Sequence, residues 1–301
     1  MYHQPVMFSE CMQGLDIQSD GIYVDATFGG GGHSLGILEK LKGGRLIAFD
    51  HDQDAIKEAK KINHSSFTFC EANFRHLKHF LKLLKVTAVN GIFADLGISS
   101  HQIDVAERGF STRQNGLLDM RMNKGSKLTA SKILNEYSEQ DLHRIFGSYG
   151  EIRNAKTLAK LIVEKREDTH LDSTIELTKV IETLAPRGKN NRYFSQVFQA
   201  LRIEVNEELD SLSDFLLQCH HVMVKGGRLA ILSYHSLEDR LVKNYINTGN
   251  VEGKLEKDFY GHVIKPFQAV NKKPITPSLK EVKENNRSRS AKLRIAIRIG
   301  E

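Results

Sequence analysis

Asp25-Ala26-Thr27-Phe28-Gly29-Gly30-Gly31-Gly32-His33-Ser34 is the stretch whose reading decides the fold. It follows a short apolar run, Ile22-Tyr23-Val24, and precedes a segment that reads as helix. A second apolar run, Leu46 to Phe49, then ends in Asp50. Strand, glycine turn, helix, strand and terminal acid make a nucleoside-binding βαβ unit. The glycines supply positive φ and let the backbone approach a ligand closely, and a carboxylate at Asp50 can accept both hydroxyls of a ribose.

The acid that opens the motif discriminates between ligands. A pyrophosphate needs an uncluttered helix N-terminus, and the carboxylate of Asp25 would repel it. The same carboxylate can pair with an ammonium group. S-adenosylmethionine carries an amino-acid ammonium, a sulfonium and a ribose, and no phosphate, so Asp25 with Asp50 favours it over a nicotinamide dinucleotide. The position of a third fingerprint glycine is Ser34, which points the same way.

The chain has 301 residues, enough for one large domain or two modest ones. Its three cysteines, Cys11, Cys70 and Cys219, are odd in number and far apart, which argues for a reducing compartment and against a disulfide framework or a zinc site. Met1 to Glu10 lacks a basic stretch leading into an apolar core, so no signal peptide is expected. No run approaches the roughly 18 apolar residues of a membrane span. A cytoplasmic location follows as the expectation. Residues 271–301 hold nine Lys/Arg against three acids and so carry the whole net charge of +6. A basic tail on a neutral body suits a polyanionic partner, although a plain solvated face would look the same.

Strands are predicted at 22–25, 45–50, 67–70, 90–95, 228–233 and 293–299, with helices between them. That alternation predicts a doubly wound, mostly parallel α/β sheet. About 130 residues separate the fourth strand from the fifth, too many for one crossover helix. An inserted small helical domain is therefore expected at 103–195, interrupting a core of 1–102 and 196–301. Thr129, Ser138 with Asp141, and Ser173 with Glu176 mark helix starts within it. The stripe Leu201, Val205, Leu209, Leu212, Leu216, Cys219 and Met223 predicts one long helix, stopped by Gly226-Gly227. The final strand alternates apolar residues with Arg294, Ala296 and Arg298, as a half-exposed antiparallel strand would.

Several side chains could carry chemistry. Asp95 ends the fourth strand, and ligands of doubly wound sheets bind outside the strands' carboxyl ends. It is the leading candidate to accept a hydrogen bond from a cofactor ammonium or a substrate amine. His235 and Arg240 follow the fifth strand: His235 as a polar contact or a structural residue, Arg240 facing a phosphate or a neighbouring acid. Arg108-Gly109-Phe110-Ser111 and Leu118-Asp119-Met120-Arg121-Met122 open the insert with a mixture suited to RNA contact or to simple packing. The pairs His76/His79 and His220/His221 lack convergent acids or cysteines, so they read as helix-surface residues and no metal is expected.

Several longer stretches are similar to the MraW/RsmH family: the glycine segment 25–34, Asp95-Leu-Gly-Ile-Ser-Ser100, Arg108-Gly-Phe-Ser111, Leu118-Asp-Met-Arg-Met122, Tyr149-Gly-Glu151, Phe198-Gln-Ala-Leu-Arg-Ile-Glu-Val-Asn206, Gly226-Gly-Arg-Leu229, His235-Ser-Leu-Glu-Asp-Arg240 and Arg287-Ser-Arg-Ser-Ala-Lys-Leu-Arg294. The resemblance runs from His3 to Arg294. It implies a class I (Rossmann-like) methyltransferase core and S-adenosylmethionine-dependent methylation of a cytosine N4 in the decoding region of 16S ribosomal RNA. The partner would be the small ribosomal subunit. By motif match, cofactor contacts fall on Gly31, Gly32, His33, Asp50, Phe74, Asp95 and Gln102, with the Phe74 ring on adenine. Two stretches depart from the pattern: Arg192-Tyr-Phe-Ser-Gln196 replaces His-Pro-Ala-Thr-Arg, and Tyr234 replaces Phe in Ser-Phe-His.

For such chemistry Asp95 is the expected acceptor on the amine, with His235 and Asp119 behind it. Arg108, Arg121, Arg240, Arg287, Arg289 and Arg294 are the expected RNA contacts. Two other readings stay open: a methyltransferase acting on a different acceptor, and a non-catalytic RNA-binding assembly factor that keeps the pocket as a relic.

Overall fold

The computed structural model describes residues 5–300; the first four residues of the stretch read for a leader, His3 at the start of the resemblance and Glu301 of the basic tail lie outside the described residues. Two compact units result, one holding the chain up to Gly97 and from Leu209 onward, the other Ile98–Glu208. Residues 196–208, expected in the core, lie in the second unit.

The first unit is built on a seven-stranded sheet: β1 (Ile22–Asp25), β2 (Arg45–Asp50), β3 (Phe67–Glu71), β4 (Val89–Asp95), β5 (Met223–Ser233), β6 (Phe267–Ala269) and β7 (Lys292–Arg298). Their order is β3-β2-β1-β4-β5-β7-β6. The first five run parallel and β7 is antiparallel to both neighbours. The order reverses between β1 and β4, which is where a doubly wound sheet opens a ligand crevice.

Helices cover both faces, and the strands show it residue by residue. Val24, Ile47, Phe49, Ile92, Ala94, Leu229 and Ile231 pack into one core. Tyr23, Leu46, Phe93, Ala230 and Leu232 pack into the other. Burial on both sides explains why these strands read as continuous apolar runs. The three-residue β6 is too short to have left a periodic signal, and β7, between β5 and β6, buries Leu293, Ile295 and Ala296.

The predicted long helix is two helices. Asn190–Asn206 ends at Glu207, which adopts a left-handed φ of 48°, and Glu208–Val222 follows. The stripe was continuous because it serves two cores: Leu201 and Val205 pack in the helical unit, Leu212, Leu216, Cys219 and Met223 under the sheet. Gly226 and Gly227 lie inside β5 rather than at a helix end.

The helical unit packs Ala130–Glu136, Glu139–Ser148, Ala155–Asp168, Thr174–Glu182 and Asn190–Asn206 around one core. Thr129, Ser138 and Ser173 cap three of these helices; Ser173 with Glu176 forms a reciprocal capping box. Asn206 closes the unit. Its amide nitrogen donates to Met120 O at 2.8 Å and Arg202 O at 2.9 Å, and its oxygen accepts from Met122 N at 2.7 Å. These bonds hold Met120, fully buried at a left-handed φ of 56°. Asn206→Ala leaves buried backbone groups unpaired and should cost about 3 kcal/mol in denaturant unfolding. A loss below about 0.5 kcal/mol would contradict this role.

Candidate active site

Asp25, Asp50 and Asp95 end β1, β2 and β4, three adjacent parallel strands, so all three reach one edge of the sheet. The glycine loop lies over that edge. Gly29 and Gly31 adopt φ of 54° and 79°. A Cβ on Gly31 would stand 2.7 Å from the Phe28 ring, whereas on Gly29 it would meet nothing nearer than the Thr27 carbonyl at 4.0 Å. At Gly29 the backbone is thus open to close approach by a ligand.

The three acids are held differently. Asp50 is half-buried; one oxygen accepts from Gly29 N at 2.8 Å, the other from His51 N and Asp52 N at 2.8 and 2.9 Å. Burial raises its pKa and the backbone donors pull it back. Its carboxylate fixes the loop, and its remaining acceptor site can take one ribose hydroxyl.

Asp25 is fully buried. One of its oxygens accepts from Thr27 N at 3.1 Å, the other from the Ser34 hydroxyl at 2.6 Å. The expectation that it pairs with an ammonium needs correction: its carboxyl braces the turn from below instead of facing the rim. Burial pushes it up to about 6, against the Ser34 and Thr27 bonds.

Asp95, like Asp50, keeps partial exposure, with a quarter of its side chain accessible. Its backbone N donates to the Thr27 hydroxyl at 2.6 Å, and its carboxylate accepts from the Tyr234 hydroxyl at 2.7 Å. Burial pushes its pKa up to about 7; the Tyr234 bond opposes the rise, and the charges of Asp25 and Glu238 add to it. His33 Nδ1 lies 3.8 Å from the second Asp95 oxygen. The imidazole is buried, its Nε2 is 3.1 Å from Val6 O, and its ring lies 4.5 Å from that of Phe93. Burial lowers its pKa to about 4, so it is neutral. His33 therefore shapes the wall behind Asp95. Gly32 opens the helix Gly32–Leu38, where a Cβ would run into Pro5.

Phe74 sits on the turn after β3, half-buried, its ring 5.2 Å from Phe215 and edge-on to it. His235 caps the helix Ser236–Thr248: Glu238 N approaches its Nδ1 at 3.5 Å, and its Nε2 is 3.1 Å from a Glu238 oxygen. That makes it a capping residue, not a proton acceptor for a substrate. The member of the triplet that reaches Asp95 is Tyr234, which the sequence reasoning passed over. Strand alternation was the available signal, because Ala230, Leu232 and Tyr234 pack on one face, and Leu232 is in register with Asp95.

In the helical unit the side-chain oxygen of Gln102 accepts from Ser99 N at 2.9 Å, capping the helix Ser100–Asp104. Three expectations fail there for stated reasons. Arg108 is only 3% exposed and donates to the Arg121 and Met122 carbonyls. Arg121 grips both oxygens of Asp119 at 2.7 Å and donates to Lys124 O and Ser126 O. The same pair holds Asp119 below the usual carboxylate range despite partial burial, so it is a poor proton acceptor. These residues lock the loop 108–126. In the first unit, Arg294 donates to Asp239 at 2.6 Å, beside Lys292 at 3.2 Å, which makes it an internal ion pair. Arg240, Arg287 and Arg289 are exposed.

The sequence model of the MraW methylase family matches residues 1–299. The chain belongs to that family. Among its relatives is "Ribosomal RNA small subunit methyltransferase H" of Cytophaga hutchinsonii, 55% identical over 298 residues that span 99% of this chain and 100% of that protein. The protein of the same name from Flavobacterium johnsoniae is 50% identical over 299 residues, covering 99% and 98%. A solved rRNA methylase from Streptococcus thermophilus is a distant likeness, with 14% identity, TM-score 0.40, and 100% and 99% coverage.

The chain is thus an S-adenosylmethionine-dependent methyltransferase, and the rim suits that cofactor. Asp50 offers an acceptor for a ribose, Phe74 an apolar ring, and the glycine backbone an open approach. The carboxylates of Asp50 and Asp95 at the strand ends would repel a pyrophosphate.

The Asp95 shift has a sign that can be checked. Its folded pKa lies above the ordinary carboxylate value, so the stability it contributes is fully present below about pH 4 and is lost as pH rises through about 7. Asp95→Asn carries no such charge. The variant should melt higher than the parent at pH 8, and the gap should close at pH 5. A gap that widens on acidification would reverse the assignment.

Proposed function

We propose that the chain transfers a methyl group to the N4 amine of a cytosine in the decoding region of small-subunit ribosomal RNA, in the cytoplasm. The observation that carries the chemistry is Asp95: a partly exposed carboxylate with a pKa near 7, at the strand end beside the glycine loop. The names of relatives at about half identity support the ribosomal substrate, and the motif resemblance supports cytosine N4. Among the described residues no helix is long and apolar enough to cross a membrane.

The amine lone pair of cytosine is delocalised into the ring and attacks poorly. When bound, S-adenosylmethionine supplies an electrophilic methyl on its sulfonium. The protein's part is placement and proton handling. Asp50 and Phe74 hold the nucleoside end of the donor and fix the methyl in line. Asp95 accepts a hydrogen bond from N4, which turns the lone pair toward the methyl and takes up developing positive charge. With a pKa near 7 it can take the proton that N4 sheds. Tyr234 orients the carboxylate and favours its ionised form. The base must leave its stack to reach this rim.

Phosphate contacts are assigned to the exposed Arg287 and Arg289, with Arg240 beside the rim. The helical unit, including the expected 103–195 segment, is the proposed RNA-recognition element, with Arg113, Lys124 and Lys127 exposed on its opening loop. Binding should therefore weaken steeply with salt.

Mass mapping of ribosomal RNA from cells with and without the gene tests the substrate. One small-subunit cytosine should lose a single methyl group; an unchanged map refutes the reading. Single-turnover transfer at saturating cofactor tests the chemistry. Tyr234→Phe removes a donor to the carboxylate, so the acidic limb of the pH–rate profile should move up by about one unit. An unmoved limb would take Asp95 out of the proton transfer.

A further inference from the structure

At the end of the sheet away from the three acids, the segment 254–265 folds back on itself. Lys257 bridges Val263, Ile264 N donates to Glu256 O at 2.8 Å, and Asp258 N donates to His262 O at 2.9 Å. The Asp258 carboxylate closes the tip, accepting from Tyr260 N and His262 N at 2.9 Å each, and Gly261 takes a φ of 86°. This ordered tip holds two aromatic rings in solvent: Phe259 is 97% exposed and Tyr260 82%, their centroids 5.6 Å apart. The two rings are neighbours and make one exposed aromatic patch.

The surroundings are cationic. Lys254 and Lys257 flank the tip and Lys265 lies at the base, none in an ion pair among the described residues. The base leads into β6, whose Phe267 pairs with Arg298 at the end of β7 and lies 5.7 Å from Tyr245. Tyr245 in turn bonds His220 at 2.7 Å, and the His220 ring lies 3.7 Å from that of His221, tilted by 40° to it. His220 is half-buried, not the surface residue expected from sequence. Burial and the charges of His221, Arg298 and Lys78 hold its pKa near 4. No acid pairs with Lys78 or Arg298 among the described residues, and the Arg298 Nε is buried without a hydrogen-bond partner. The acids of the hairpin are Glu256 and Asp258, and Asp258 is consumed by the turn.

We propose that this hairpin and the cations at its base form a second nucleic-acid contact, remote from methyl transfer, in which Phe259 and Tyr260 stack on unpaired bases and Lys257, Lys265 and Arg298 meet adjoining phosphates. The proposal rests on the reading of RNA as substrate. Exposed rings beside uncompensated cations are the ingredients of single-strand binding. Placement also fits. Because β7 is antiparallel to β5, the Phe267 end of β6 lies at the sheet edge opposite Asp95, so this contact would grip a distant part of a large RNA and leave the rim free.

The test uses the full-length protein, a single-stranded RNA oligonucleotide and a fully paired duplex of equal length. Phe259→Ala with Tyr260→Ala should lose at least about thirtyfold in affinity for the single strand, as the loss of two base stacks requires. Duplex binding should change little. Phe259→Tyr with Tyr260→Phe keeps both rings and should bind as the parent does, and ultraviolet crosslinks should map to 254–265. Calorimetric binding of S-adenosylmethionine should be unaffected, because these residues lie outside that site. Unchanged affinity in the alanine variant, with crosslinks elsewhere, overturns the proposal while leaving the substrate reading intact. So does loss of self-association in sedimentation without loss of RNA binding, which would make the hairpin an interface between copies. A parent protein that binds neither RNA overturns the substrate reading as well.

Discussion

Three carboxylates brought to one edge of a sheet are taken out of water together, and that burial, more than their mutual repulsion, is the constraint from which the site follows. Parallel pairing of β2, β1 and β4 makes the convergence unavoidable, since each strand ends in aspartate. The protein meets it in three ways. Asp50 accepts three backbone N–H donors. Asp25 is sealed beneath the loop against Ser34 and Thr27. Asp95 retains access to solvent with a pKa lifted to about 7, and Tyr234 limits the rise. Division of labour among identical side chains thus comes from their surroundings.

The loop and the acids also depend on each other. Gly29 donates to Asp50, and Thr27 links Asp25 to the backbone of Asp95. A change in the loop is therefore felt by all three carboxyls. The methyl donor's binding face and the proton acceptor are parts of one hydrogen-bonded network, which suits a reaction whose rate depends on alignment.

Much of this was legible in the sequence because the signals were local. Strands buried on both faces announce themselves as apolar runs, and β1 and β2 span the predicted 22–25 and 45–50. Ser173 with Glu176 marks its helix start through a contact three residues long. The failures share a different cause. One stripe of leucines served two cores, so its periodicity could not reveal the break at Glu207. The tasks of Arg108, Arg121 and Arg294 were invisible because their partners are carbonyls and acids brought near by folding. An arginine beside an aromatic reads alike whether it faces RNA or its own loop. Tyr234 was missed for the converse reason: a tyrosine at a strand end is ordinary until the neighbouring strand places a carboxylate 2.7 Å away.

The most direct measurement is a carbon-13 NMR titration of the Asp95 carboxyl in the intact protein, assigned by comparison with Asp95→Asn. The account predicts a midpoint near 7, well above the carboxyls of exposed aspartates in the same spectrum. A midpoint near 4 would mean that Asp95 is an ordinary solvated acid, and the account of how this rim handles the proton would be wrong.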